Sequence, residues 1–229
     1  MARYASFEAR TIRFLEALKA NNNREWFKEN KARYEDDVLD VALRFIISMQ
    51  EPLAELAPRF TAVPTRVGGS LMRVYRDTRF SKNKLPYKTN IGIQFRHEQA
   101  KDVHAPGYYL HIEPDEAFLG VGMWRPDAEP LRAIRERIAA RPAQWQRTID
   151  EKTFRRHFSL AGETLTRPPR GFDKDQPCIE DIKRKSFIAT RDLDVEACLR
   201  PQSQRVVESS FRNAEPLMRF LCKSVGVRF

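Results

Sequence analysis

Residues 108–124 read YYLHIEPDEAFLGVGMW. Apolar side chains recur at every second position on both sides of Pro114-Asp115-Glu116. Leu110 and Ile112 therefore share one face of a first strand, and Leu119, Val121 and Met123 one face of a second. A short polar connection between two such runs forms a hairpin, which makes the pair antiparallel. Upstream, Ile91, Ile93 and Phe95 continue the alternation, and Gly68–Tyr75 reads as one more strand. The strands expected are Gly68–Tyr75, Asn90–Arg96, Tyr108–Glu113 and Ala117–Trp124. Their reverse face carries Gln94, Tyr109, His111 and Glu113, then Gly120, Gly122 and Trp124. Two glycines among such neighbours fit either a shallow hollow or a bulge under a close crossing, and both readings stay open.

The flanks change period. Phe7, Thr11, Phe14, Leu15 and Leu18 follow a helical stripe over 6–20, with Ser6 as the expected N-cap and Asn21-Asn22-Asn23 as the stop. A second helix is expected from Arg24 to Gln50 along Phe27, Tyr34, Val38, Val41, Phe45 and Met49, with Pro52 interrupting it. Ala128–Ala139 and Pro142–Asp150 read as helices and Gly162–Gln176 as loop. Pro201–Lys223 reads as a terminal helix that Pro216 bends or divides, with Val206, Val207, Phe211, Ala214, Met218 and Leu221 inward. The expected fold is α+β: an antiparallel sheet of at least four strands, at about 67–124, packed on N- and C-terminal helices. Phe14, Leu18, Phe27, Phe45, Ile93, Leu110, Ile112 and Val121 form its predicted core. With no repeat or linker in 229 residues, one domain over 1–229 is expected.

Charge is unevenly placed. The chain has a formal net charge of +10, and residues 66–101 hold nine basic against two acidic side chains. Residues 152–191 hold ten basic against five acidic. Concentrated positive charge raises the local concentration of anions. The longest stretch without a formal charge is ten residues, Val103–Ile112, too short to span a bilayer. Three widely spaced cysteines and an N-terminus without an apolar core point to a cytoplasmic setting and to packing roles for the thiols. The four histidines form no metal-binding array, and no phosphate-loop, dinucleotide or nucleophile-elbow motif occurs, so neither metal nor cofactor is expected.

The densest basic stretch is Arg73–Lys88, RVYRDTRFSKNKLPYK. Arginine suits phosphate and carboxylate because its planar fork donates two parallel hydrogen bonds. Tyr75, Phe80 and Tyr87 interleave with the cations, a mixture that can stack a base while holding a phosphate. The stretch resembles the central motif of DUF2461, a widespread bacterial family of unknown function. The match falls on Arg73, Arg76, Asp77, Arg79, Phe80, Lys84 and Tyr87. NNNREWF at Asn21–Phe27, APGYYLHIEP at Ala105–Pro114 and RPPRGFDKDQPCIEDIKRKSF at Arg167–Phe187 also look like the family. The resemblance implies one intact domain and carries no catalytic residue with it.

Three functional readings follow. The first is an anion-binding module for phosphate, a nucleotide or nucleic acid, with Arg73, Arg76, Arg79, Lys84, Tyr87, Lys88 and Arg170 as ligand-binding residues. It expects the cations of 73–88 and of 167–170 to lie on one face. The second is an enzyme acting on a small phosphorylated or carboxylated metabolite, with His111, Glu113 or Asp77 moving protons. The third is a module that docks an acidic protein partner. Asp77 and the Lys183-Arg184-Lys185 run also have plain structural readings, as a guanidinium brace and a solvated helix turn.

Overall fold

The computed structural model describes residues 5–79, 82–99 and 105–229. Its elements run α1 (Ala9–Ala20), α2 (Arg24–Glu29), α3 (Lys31–Tyr34), a π-turn (Glu35–Leu39), α4 (Asp40–Ser48) and α5 (Gln50–Leu56). Then come β1 (Phe60–Thr61), β2 (Ile91–His97), β3 (Gly107–Ile112) and β4 (Ala117–Met123). The second half holds α6 (Ala128–Ala140), α7 (Pro142–Asp150), α8 (Lys152–His157), β5 (Ser159–Ala161), α9 (Ile179–Ile182) and β6 (Phe187–Leu193). It ends with α10 (Val195–Leu199), α11 (Ser203–Asn213) and α12 (Glu215–Ser224). The strands form one six-stranded antiparallel sheet in the order β1-β2-β3-β4-β6-β5. Helices from both ends of the chain pack on one of its faces. Among the described residues no helix is long and apolar enough to cross a membrane.

The hairpin forms as the alternation requires, with Leu110 opposite Leu119 and Tyr108 opposite Val121. The eight predicted core residues are all buried. Gly68–Tyr75 is not a strand. It meets the sheet through a bridge between Leu71 and Ile93, flanked by hydrogen bonds from Gln94 N to Ser70 O and from Met72 N to Gly92 O. Gly68 has φ of +72°, and the Ser70 hydroxyl bonds the backbone at Val63 and Thr61. These contacts fold the segment over the sheet edge, while β1 pairs further along β2. β5 and β6 lie in a stretch whose basic residues mask its alternation.

Several helix boundaries also differ. The first helix starts at Ala9, not at Ser6, because Phe7 is buried against Phe45 and its N–H donates to Cys198 O, which holds the entry extended. The long second helix is divided at Asn30 and by the π-turn, whose extra residue lets Val38 and Leu39 both face inward. Pro52 does divide the helix, with the break at Met49 between α4 and α5. It stands in the first turn of α5, where its missing N–H has no helical partner to lose. The terminal helix divides into α11 and α12, with Pro216 in the first turn of α12, and Val206 faces solvent.

The reverse sheet face shows that the two glycines act differently. Gly120 borders a hollow of about 660 Å³ walled by Met72, Tyr109, Phe118, Trp124 and Ile188. A Cβ there would meet Tyr109 at 3.6 Å, an ordinary contact. Gly122 has φ of +119°, and a Cβ there would lie 2.1 Å from the Phe187 carbonyl oxygen. Gly122→Ala should therefore destabilise the fold by at least ~2 kcal/mol. Gly120→Ala should stay within ~0.5 kcal/mol of the parent. Chemical denaturation of the two variants checks the difference.

Candidate anion-binding site

The basic stretch becomes a closed loop. Tyr75 bridges Tyr87, Arg76 N donates to Pro86 O at 2.9 Å, and Lys88 N donates to Val74 O at 2.8 Å. Asn22, in the turn before α2, clasps the loop from below. Its Nδ2 donates to Tyr87 O at 3.0 Å and its Oδ1 accepts from Tyr87 N at 3.1 Å. Asn23 caps α2 by accepting from Trp26 N, which places Phe27 under the Tyr87 ring, stacked at 4.0 Å. Tyr75 and Tyr34 complete the aromatic layer. Burial, with Tyr75 nearby, pushes the Tyr34 hydroxyl up to about 12. The asparagine run at 21–23 and the arginine motif, remote in sequence, are thus one structural unit.

Within the loop the cations divide by partner. Arg79 donates from Nε to Asp77 Oδ1 at 3.1 Å and from Nη2 to Oδ2 at 2.8 Å, and its backbone N–H also reaches Oδ1. Those bonds, with a smaller contribution from Arg73, hold the Asp77 carboxyl down at about 2. A carboxylate so stabilised is a weak base at neutral pH. Lys84 donates to Thr78 O at 2.8 Å and lines a groove with Arg24 and Lys82. Tyr87 is buried in the aromatic layer.

Arg73, Arg76 and Lys88 differ. Among the described residues no hydrogen bond or ion pair engages their side chains. Lys88 is only partly exposed. Its ammonium is pushed below the usual lysine range by burial first, then by Arg73 and Arg76. Lys88 thus feels both arginines, while Arg73 also helps to lower the Asp77 carboxyl. Phe80, although part of the matching motif, lies outside the described residues, as do Ser81, Lys101 and His104.

The second basic segment behaves otherwise. Arg170 lines a separate groove with Arg132, Glu136 and Phe172 against α6. No described residue of the 73–88 loop lines that groove. Lys183 pairs with Glu180, Arg184 with Asp181 and Lys185 with Glu163. Trp145 also donates to Asp181, so this turn is an internally neutralised brace. The cysteines are free thiols, and burial pushes Cys198 up to about 11 and Cys222 to about 12, as expected of packing residues.

On the open sheet face, His111 lies between Tyr109 and Glu113. Nδ1 is 3.0 Å from Tyr109 Oη and 3.4 Å from Asn90 Nδ2, and Nε2 is 3.4 Å from Glu113 Oε1. The ring stacks on Phe118 at 4.6 Å. Burial, then Glu113, raises the Tyr109 hydroxyl to about 12. Glu116, which the sequence reading passed over, comes to the same place because the hairpin turns back on itself. The only sequence signal for it was the length of that turn.

The arrangement is an α+β domain with one sheet face covered by helices and a basic loop clasped at the sheet's edge. Residues 10–220 match DUF2461, described as a conserved hypothetical protein, and the chain belongs to that family. No curated protein matches the chain.

Two outcomes follow from the loop geometry. Asn22→Ala removes both ends of the Tyr87 clasp and should destabilise by ~1–3 kcal/mol, read as a lowered denaturation midpoint. Asp77 has a depressed pKa, so its ion pair with Arg79 is present above the ordinary carboxylate range and is lost only as pH falls through about 2. A carboxyl titration followed by NMR should show Asp77 still ionised where exposed aspartates are half protonated.

Proposed function

We propose that this protein binds an anionic, phosphate-bearing ligand at Arg73, Arg76 and Lys88, with nucleotides or nucleic acid first among candidates. The supporting observation is Lys88, partly desolvated and pushed below its usual range also by Arg73 and Arg76, with no hydrogen bond or ion pair on any of the three side chains among the described residues. Like charges gathered at a partly buried point cost folding energy, and an anion with several acceptor oxygens removes that cost. Arg79, Asp77, Lys84 and Tyr87 then shape the loop and set the position of the cluster. The aromatic layer of Tyr75, Tyr87 and Phe27 stands beside it, and the exposed Tyr75 offers a stacking surface. A partly buried lysine suits a compact phosphate better than the broad face of an acidic protein.

A second reading, an enzyme acting on a small phosphorylated or carboxylated metabolite, is favoured by one observation. Tyr109, whose hydroxyl meets His111, lines the 660 Å³ hollow, whose volume suits a small molecule.

The first reading predicts that Arg73→Gln and Arg76→Gln leave thermal stability within ~1 kcal/mol of the parent, or raise it slightly. The parent should be stabilised by phosphate, a nucleotide or a short oligonucleotide, by ~2.7 kcal/mol at a hundredfold excess over Kd, and the variants should lose that shift. Binding should also raise the depressed Lys88 pKa, because an anion favours its charged form. Extended nucleic-acid contact would add a steep salt dependence, ~0.9 log unit per log salt for each duplex phosphate neutralised. Collapse of both variants, with no probe stabilising the parent, would make the cluster architectural.

A further inference from the structure

His111, Glu113 and Glu116 each present one ligand atom on the β3–β4 hairpin, and these atoms lie within 4.8 Å of one another. The hairpin itself brings them together. His111 and Glu113 are two apart on an extended strand and so share a face. Glu113 N donates to Glu116 O at 2.8 Å, which closes the turn and returns Glu116 to that face.

The charge here is the inverse of that in the basic loop. Two carboxylates stand together, and among the described residues Glu116 makes no ion pair. Glu113 has His111 as its ion-pair partner, at 3.4 Å, the outer limit of a useful hydrogen bond. Lys19 on α1 is close enough to feel Glu113, but its ammonium is bonded to Asp115. A cation bound between the two glutamates would relieve this repulsion.

The histidine is already oriented for such a role. Its ring is held on Phe118, and Nδ1 faces Tyr109 Oη, an oxygen that accepts as well as donates. Asn90 Nδ2, which only donates, also lies 3.4 Å from Nδ1. With no cation bound, Nδ1 therefore accepts and Nε2–H points to Glu113. A cation on Nε2 shifts the proton to Nδ1, where Tyr109 Oη accepts it. A partner that fixes the far nitrogen in this way is the usual second support of a metal-binding imidazole.

A hollow of small-molecule size lies beside the side chains that hold His111. Tyr109 and Phe118, the two residues that position His111, also line the 660 Å³ hollow. Three protein ligands leave a coordination position free.

We propose that His111, Glu113 and Glu116 form a binding site for one divalent first-row transition ion on the β3–β4 hairpin. One imidazole with two carboxylates suits Zn²⁺, Mn²⁺ or Fe²⁺ better than Mg²⁺ or Ca²⁺, which prefer all-oxygen sets. Bonds of about 2.0–2.2 Å place two donors of one ion at most about 4.4 Å apart, so the exposed Glu116 needs only a small rotamer adjustment to close the site. Its ligands are not those of the cation cluster at Arg73, Arg76 and Lys88, and each proposal stands or falls alone.

The test is calorimetric titration of chelator-treated protein with Zn²⁺, with Co²⁺ absorption as a second readout. The parent should bind one equivalent saturably and show the visible bands of Co²⁺ bound through nitrogen and oxygen. Glu116→Gln, a change on an exposed turn, should keep the fold and weaken Zn²⁺ at least tenfold. His111→Ala should abolish both signals, and Glu129→Gln, on α6, should match the parent. Failure of the parent to bind saturably overturns the proposal, as does unchanged binding in a folded Glu116→Gln protein.

Discussion

Phe95, Tyr108, Val121 and Ala189 stand side by side across β2, β3, β4 and β6, and all four are buried. The period of two that puts them under the helices puts Gln94, Tyr109, Gly120 and Thr190 on the reverse face. Phe211 on α11 packs against both Phe95 and Tyr108, so the C-terminal helices seal the sheet built by the middle of the chain. The open face then holds the chemically capable side chains, because the covered face has no room for groups that need water or ligands.

Loop and sheet are joined by a few specific contacts. Asn22 satisfies both backbone groups of Tyr87, and the Tyr87 ring rests on Phe27. Buried backbone groups must find partners, and here one amide side chain serves both at once. The clasp fixes where the loop leaves the sheet and so fixes the neighbours of Arg73, Arg76 and Lys88. Asp77 spends its two oxygens on Arg79 and leaves the other cations without a described partner. The same loop therefore contains one neutralised arginine and a separate group of uncompensated charges, a distinction that side-chain type alone does not make.

Electrostatics also separates the two basic segments. Lys183, Arg184 and Lys185 each meet a carboxylate, and exposed or partly exposed pairs of this kind contribute little beyond local order. Among the described residues the Arg73, Arg76 and Lys88 side chains make no ion pair, and neither does Glu116.

The sequence by itself determined the hairpin, the buried strand face, the helical flanks and the basic motif with its family. These depend on local period and composition, which physics reads over a few residues. It could not give β5 and β6, because Thr190, Arg191 and Asp192 hide a strand whose partner lies far away in the chain. Nor could it show that Gly68–Tyr75 folds over an edge, since the hydrogen bonds that hold it come from Val63, Thr61 and Gly92. Only the tertiary structure separated Arg79 from Arg73 and Arg76, moved Arg170 to another groove and added Glu116 to His111 and Glu113. Each of those outcomes depends on which opposite charge stands within hydrogen-bond reach. That distance is set by the packing of remote segments, not by the residues adjacent in sequence.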